Sequence, residues 1–191
     1  MPYRGAKGVP VLRTADQDDV DSIRRWRNHP EVRRQFIHRG EISERHHQAW
    51  WRRVADDPAA QVLIFEDAGG RCGVVTISHH DRTQGTAEWG FYLDVVGLRA
   101  RGALFGAWIA LEREAIRYAF DDLGLAVLGG RTLATNAAVL ELHRRSGFTV
   151  VPEKGYTAEI GGQECAVVWM EMSRGGGSGW RSARAEILVV N

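Results

Sequence analysis

Cysteine and lysine are nearly missing from this chain, and no apolar run approaches the ~18–20 residues of a membrane-spanning helix. The two cysteines, Cys72 and Cys165, are too few for a disulfide framework and have no metal-site spacing. Both fall in predicted strands, so buried free thiols in a reducing compartment are expected, and no metal. With no signal peptide in view, a cytoplasmic protein is expected. Lys7 and Lys154 are the only lysines; arginine supplies nearly all the positive charge. The net charge of +1 argues against bulk capture of nucleic acid or an anionic membrane.

What is present reads as one α+β domain. A length of 191 residues suits a single domain with a real core. Residues 1–10 carry Gly and Pro without periodicity and read as a loose lead-in. Val11–Thr14 reads as a first strand, and Thr14 or Asp16 can cap a helix with Val20, Ile23 and Trp26 at helical spacing. A short helix from Pro30 to Phe36 follows, with Pro at its first position. Ser43 is the N-cap candidate for a helix from Glu44 to Val54. Gln61–Glu66 and Cys72–Ser78 read as a hairpin around Ala68-Gly-Gly-Arg71, and a turn at Asp81–Gly85 leads to a strand from Glu88. After Phe148, Thr149–Ile160 and Cys165–Met172 read as a last hairpin around Gly161-Gly162. The segment 174–191 is a glycine-rich linker and a tail, with a partly ordered extra strand expected at its apolar end.

Between Glu88 and Phe148 the order is strand, basic glycine-containing loop (Val96–Gly106), amphipathic helix, strand (Leu125–Leu133), then Asn136-Ala-Ala-Val-Leu-Glu-Leu-His143-Arg-Arg-Ser-Gly-Phe148. A basic loop that runs straight into a helix offers free amides and the positive end of the helix dipole to an anion. At these residues the chain resembles the GNAT superfamily of acyl-CoA-dependent N-acyltransferases. The phosphate-loop register is Arg101-Gly102-Ala103-Leu104-Phe105-Gly106, with Leu104 where the family pattern has its first glycine. Trp26-Arg27-Asn28 with Pro30-Glu-Val-Arg33, Ile42 with His47 and Trp50, and Ala87-Glu-Trp-Gly-Phe-Tyr92 resemble one subgroup. It holds the PseH-type acetyltransferases of nucleotide-linked amino sugars and the RimJ-type acetyltransferases of protein N-termini.

The resemblance implies a mixed, mostly antiparallel central sheet flanked by helices, covering about residues 11–173, and acetyl-CoA as co-substrate. Arg99, Arg101, Gly102, Ala103, Phe105 and Gly106 surround the expected pyrophosphate site. Phe91, Tyr92 and Leu93 end the strand at which the family splays its sheet with a bulge, offering main chain to the pantetheine arm. Asn136 matches the Asn that bonds that arm, and N-capping of the last helix is compatible with it. His143 stands where the family most often has the Tyr that protonates the departing thiolate, and histidine can donate a proton near neutral pH. Glu88 is the leading base, with His79 or His80 as replacement or relay. Trp26, Arg27, Asn28 and Trp50 belong to the helices that roof the acceptor site.

The expected function is acetyl transfer to a small-molecule amine, favouring a nucleotide-linked amino sugar. A protein N-terminus or an aminoglycoside is the alternative acceptor, and a catalytically silent acyl-CoA-binding module the alternative class. No nucleic-acid or membrane partner is expected, and sheet-edge pairing through the apolar tail would suit a homodimer.

Overall fold

The structure, a computed structural model, describes residues 9–175. The segments 1–8 and 176–191, with most of the lead-in, the linker and the expected extra strand, lie outside the described residues.

Eight strands form one sheet in the order β1-β2-β3-β4-β5-β8-β6, with β7 also paired to β8. Strands β1 (Val11–Thr14), β2 (Gln61–Asp67), β3 (Gly70–Asp81) and β4 (Thr86–Leu93) form an antiparallel meander. Strand β5 (Val127–Leu133) runs parallel to β4, then pairs antiparallel with β8 (Gln163–Ser173). The short β6 (Thr149–Val150) and β7 (Tyr156–Ile160) follow each other along β8. The last hairpin is thus β7–β8 alone. Thr149–Val150 is a separate strand because Pro152 removes a backbone donor and opens a turn of 3₁₀ helix.

Strand alternation divides the core into two layers. Leu63, Phe65, Val75, Ile77, Trp89 and Leu93 face helix α5 (Leu104–Arg117), which contributes Ala107, Leu111, Ala115 and Ile116. Val62, Ile64, Val74 and Tyr92 face the opposite way, toward Ile23 and Trp26 of α1 (Val20–Asn28) and Val32 of α2 (Pro30–Arg33). Helix α3 (Glu44–Asp56) packs its partly buried Trp50, Trp51 and Val54 onto that second layer. The start of α1 is anchored by Asp19, whose buried carboxylate accepts from Arg13 at 2.6 and 2.9 Å, from Arg71 at 3.2 Å and from the Asp16 amide at 3.0 Å.

Two local departures from the expected elements shape the site. Most of the loop expected at Val96–Gly106 is helical. Helix α4 (Val95–Ala100) is N-capped by Asp94, which accepts from the Gly97 amide. It ends in a Schellman turn: Gly102, at φ +66°, donates to Arg99 O while the Ala103 amide reaches back to Leu98 O. Only a residue at ease with positive φ fits there, which is why glycine stands at 102. The second departure is the bulge. The β3–β4 register is unbroken from Glu88 to Leu93 and shifts instead between Ser78 and Asp81, so the irregularity falls on His79 and His80 of β3. His79 takes φ +52°, unusual for a side-chain-bearing residue.

Candidate active site

The splay needs no bulge on β4. Strands β4 and β5 pair only at Thr86–Val127, Ala87–Leu128 and Glu88–Gly129. Beyond Glu88 they separate, leaving the β5-facing edge of Gly90–Leu93 without a strand partner on that side. A cleft of about 570 Å³ opens through this gap. Its lining comes from both faces of the sheet, including Glu88, Gly90, Phe91, Arg131, Asn136 and His143.

Glu88 lies on the α1–α3 face, the parity of Tyr92. Arg131, two residues past Glu88's partner Gly129, shares that face and donates to Glu88 Oε2 at 2.9 Å. The bulge carries His79 Nδ1 to 3.6 Å from the same oxygen, with the His79 side chain 76% exposed. His80 does not join them: neither histidine lines the cleft, but His80 Nδ1 is buried without a partner while His79 reaches Glu88. The bulge separates the two histidines, and of the two only His79 comes near Glu88.

His143 lies on the opposite face. Helix α6 (Ala137–Ser146) is N-capped by Asn136, whose Oδ1 accepts from the Val139 amide, and the same Asn136 lines the cleft. The helix ends in a second Schellman turn at Gly147 (φ +104°), with the Phe148 amide donating to His143 O. That turn folds Phe148 under His143, ring centroids 5.1 Å apart, the contact such a motif favours. Trp89 and Phe91 complete the cage at 5.3 and 6.1 Å. Inside it His143 Nδ1 sits 3.1 Å from Oε1 of Glu112, a residue of α5 that is 1% exposed.

At the expected pyrophosphate site, α5 begins without a side-chain cap, and its first intrahelical bond is Ala107 N to Ala103 O. The Leu104, Phe105 and Gly106 amides therefore point outward unpaired by the helix. A Cβ at Gly106 would touch nothing, so the approach is open. Leu104 sits at the first helical position with its side chain against the core, which is how the loop accepts a leucine in place of glycine. The arginines do less than expected. Arg101 places both carboxylate contacts of Asp67 at 2.8 Å and lies beneath Gly69 on the β2–β3 hairpin, away from the cleft. Arg99 lines the mouth but makes a two-pronged pair with Glu31 of α2, at 3.0 and 2.8 Å. Gly102 serves as the α4 terminator, and Ala103 as the α5 N-cap.

Of the four residues expected at the acceptor, the structure brings Arg27 alone to the cleft. Trp26 is core, and Trp50 leans on that core with His47 and Trp51. Asn28 clamps the Ile42 backbone, donating to its carbonyl and accepting from its amide at 2.8 Å each. Helical spacing turned these three inward or sideways. Arg27 is 8% exposed, lies 3.6 Å above the Phe36 ring and donates to His38 O at 2.9 Å. Its second terminal nitrogen is buried without a partner, and no carboxylate pairs with it among the described residues. Burial pulls its pKa below the ordinary value, with the Arg33 charge adding to the effect.

Arg131 and Glu112 were not read from the sequence. For Glu112 a signal existed: it falls on the apolar stripe of α5 with Leu111, Ala115 and Ile116. Arg131 had none, since its pairing with Glu88 depends on strands distant in sequence.

The family description "Acetyltransferase (GNAT) domain" matches residues 11–149. The acetyltransferase PseH of Campylobacter jejuni subsp. jejuni serotype O:23/36 (strain 81-176) is 26% identical over 139 residues, 72% of this chain and 82% of that protein. Spermidine N-acetyltransferase from Vibrio cholerae, solved with CoA and spermine, superposes with a TM-score of 0.72 at 18% identity, covering 87% of this chain and 96% of that one. A single-site variant of that enzyme gives 0.73 at 17% identity over 90% and 98%. Among the described residues no helix is long and apolar enough to cross a membrane, and no cluster of metal ligands occurs.

Proposed function

The chain belongs to the GNAT family of acetyltransferases, and from that premise we propose that it transfers the acetyl group of acetyl-CoA to the amine of a nucleotide-linked amino sugar. The observation that carries the acceptor choice is Arg27, a buried guanidinium of a residue that lines the cleft, with no carboxylate paired to it among the described residues. A buried, uncompensated cation is costly unless an anion completes it. Arg34 stands at the same mouth, and the Phe36 ring beside Arg27 offers a stacking face. An acceptor bearing phosphate and a planar ring meets all three. A polyamine such as spermine is a polycation and would meet arginines instead, because Glu31 and Glu88 are already paired with Arg99 and Arg131. The likeness to PseH and the subgroup motifs around Trp26-Arg27-Asn28 speak for the same class.

Residues of the chain divide the work by face. The free amides of Leu104, Phe105 and Gly106 suit the pyrophosphate, the open edge of β4 the pantetheine arm, and Asn136 the arm's amides. Acetyl-CoA, when bound, supplies an activated acyl carbon and a thiolate leaving group. Glu88 takes a proton from the acceptor ammonium and passes it through the exposed His79 to solvent. His143 gives a proton to the departing sulfur from the other face of the sheet. The ammonium gives up two protons in all, one to Glu88 before attack and a second to Glu88, once it has discharged the first to solvent, as the C–N bond forms. The sulfur loses the acyl carbon and gains the His143 proton.

Incubation with acetyl-CoA and a panel of amines, read by mass spectrometry, tests the choice. Acetylation of a nucleotide-linked amino sugar well above the free sugar, spermidine, aminoglycosides and peptides is expected. Acetylation of polyamines or peptides alone overturns it.

A further inference from the structure

We infer that Glu112 is a positioning residue for the transfer: through Nδ1 it sets the protonation pattern of His143, so that Nε2–H is presented to the cleft. The inference rests on His143 as the proton donor and adds a residue to that role.

The geometry is that of a sealed pair. Glu112 sits on the inward face of α5, among Leu111, Ala115 and Ile116, with 1% of its surface exposed. One carboxylate oxygen meets His143 Nδ1 at 3.1 Å; the other is buried without a partner. The aromatic rings against the imidazole are Trp89, Phe91 and Phe148. Arg144 and Arg145 on the same helix are exposed and turn to Glu141. Glu88 and Arg131 pair with each other on the far face of the sheet. Among the described residues Glu112 is therefore the one charged group paired with the ring. His143 Nε2 has no hydrogen-bond partner among the described residues, is not among the sealed polar atoms, and belongs to a residue that lines the cleft.

Proton counting then decides the chemistry. An apolar cage favours the form of the pair with no net charge. That form is either a carboxylate beside an imidazolium or a carboxylic acid beside a neutral ring. In the first, both ring nitrogens carry hydrogen. In the second, the acid donates to Nδ1 and the ring hydrogen sits on Nε2. Both present Nε2–H to the cleft. When the C–S bond breaks, its electron pair stays on sulfur, the Nε2 proton moves to it, and Glu112, having passed its proton to Nδ1 if it held one, ends as a carboxylate accepting from Nδ1–H. Solvent protonates Nε2 again to close the cycle. Without the carboxylate, a neutral ring chooses its tautomer freely and Nε2 loses its standing proton.

Packing alone does not account for the residue, since a buried carboxylate with an orphaned oxygen destabilises a helix face that a leucine or methionine would stabilise.

The test is Glu112→Gln, which keeps the shape and removes the charge. We expect kcat to fall about 10- to 100-fold, part of what a general acid contributes, with the KM for acetyl-CoA unchanged. The alkaline limb of the kcat–pH profile should move to lower pH. In a His143→Phe background the same substitution should cost nothing further. Three outcomes separate the two ideas. If His143→Phe keeps full kcat, His143 is not the donor and that reading falls. If His143→Phe loses activity while Glu112→Gln keeps both kcat and the alkaline limb, the role of Glu112 falls alone. Should Glu112→Gln fail to fold, ¹⁵N-histidine spectra of the unaltered protein decide. Nε2 protonated at the pH of maximal kcat is expected, and an unprotonated Nε2 overturns the inference.

Discussion

Glu88 and His143 owe their opposite places to parity along β4. Glu88 projects with Tyr92 toward α1–α3, while Trp89 and Phe91, one residue out of step, project toward His143. The proposed base and the proposed acid thus flank one gap without touching each other. Replacing Glu88 by Gln should lower kcat/KM by roughly 10²–10⁴, the usual reach of a general base, with the melting temperature nearly unchanged because Glu88 is not core. Steady-state rates and a thermal melt check both halves. Arg27→Met carries a prediction of opposite signs. Losing an unpaired buried cation should leave stability equal or higher, while the KM for the acceptor rises at least ~10-fold, the value of about one charge-assisted bond. The KM for acetyl-CoA should stay put. Of these residues, Glu88 and His143 were legible because motif spacing locates them. The fate of Trp26, Asn28 and Trp50 was not, since aromatic and amide side chains at helical spacing can face either a ligand or a core, and only the packing of α1 on β2 and β3 separates the two.

At the scale of the element, the α4–α5 junction does most to define the cofactor side. Gly102 closes α4, Ala103 leaves α5 uncapped, and three amides are turned outward. Because the first turn of a helix welcomes negative charge, Phe105→Glu should stabilise the helix by a few tenths of a kcal/mol. Phe105 is 74% exposed, so little packing is lost. The same carboxylate would occupy the anion position, and the KM for acetyl-CoA should rise about tenfold or more. A variant that melts no lower yet binds CoA as well as the parent would place the pyrophosphate elsewhere. The glycine-and-arginine content of this loop read correctly as a turn into a helix. The partners of its arginines did not, because Asp67 and Glu31 reach Arg101 and Arg99 from other elements.

The described residues form a sheet that diverges between β4 and β5, with a layer of helices on each face. The stability of the layer over α1–α3 should depend on pH through His47. Burial, with the Arg24 charge adding to it, holds His47 down from an ordinary 6.5 to about 4. Between those values the unfolded chain binds a proton that the folded chain refuses, so stability rises with pH across that window and falls as pH drops through it. Urea midpoints should therefore decline from pH 7 to pH 5, by at most roughly 1–2 kcal/mol for this group. His47→Leu should flatten that slope; an unchanged slope would assign it to other groups.

The sequence by itself determined the α+β class, most of the order of elements and the motif that ends α6, because each depends on periodicity, caps and turns within a few neighbouring residues; helix α4 and the split of the last hairpin escaped it. Tertiary structure decided which side chains meet: Glu88 with Arg131 and His79, His143 with Glu112, Arg27 with the Phe36 ring and the His38 carbonyl but, among the described residues, with no carboxylate. Those pairings join strands and helices far apart in the chain, and the geometry that creates them, the divergence of β4 from β5 and the bulge at His79, is set by packing and pairing across the sheet.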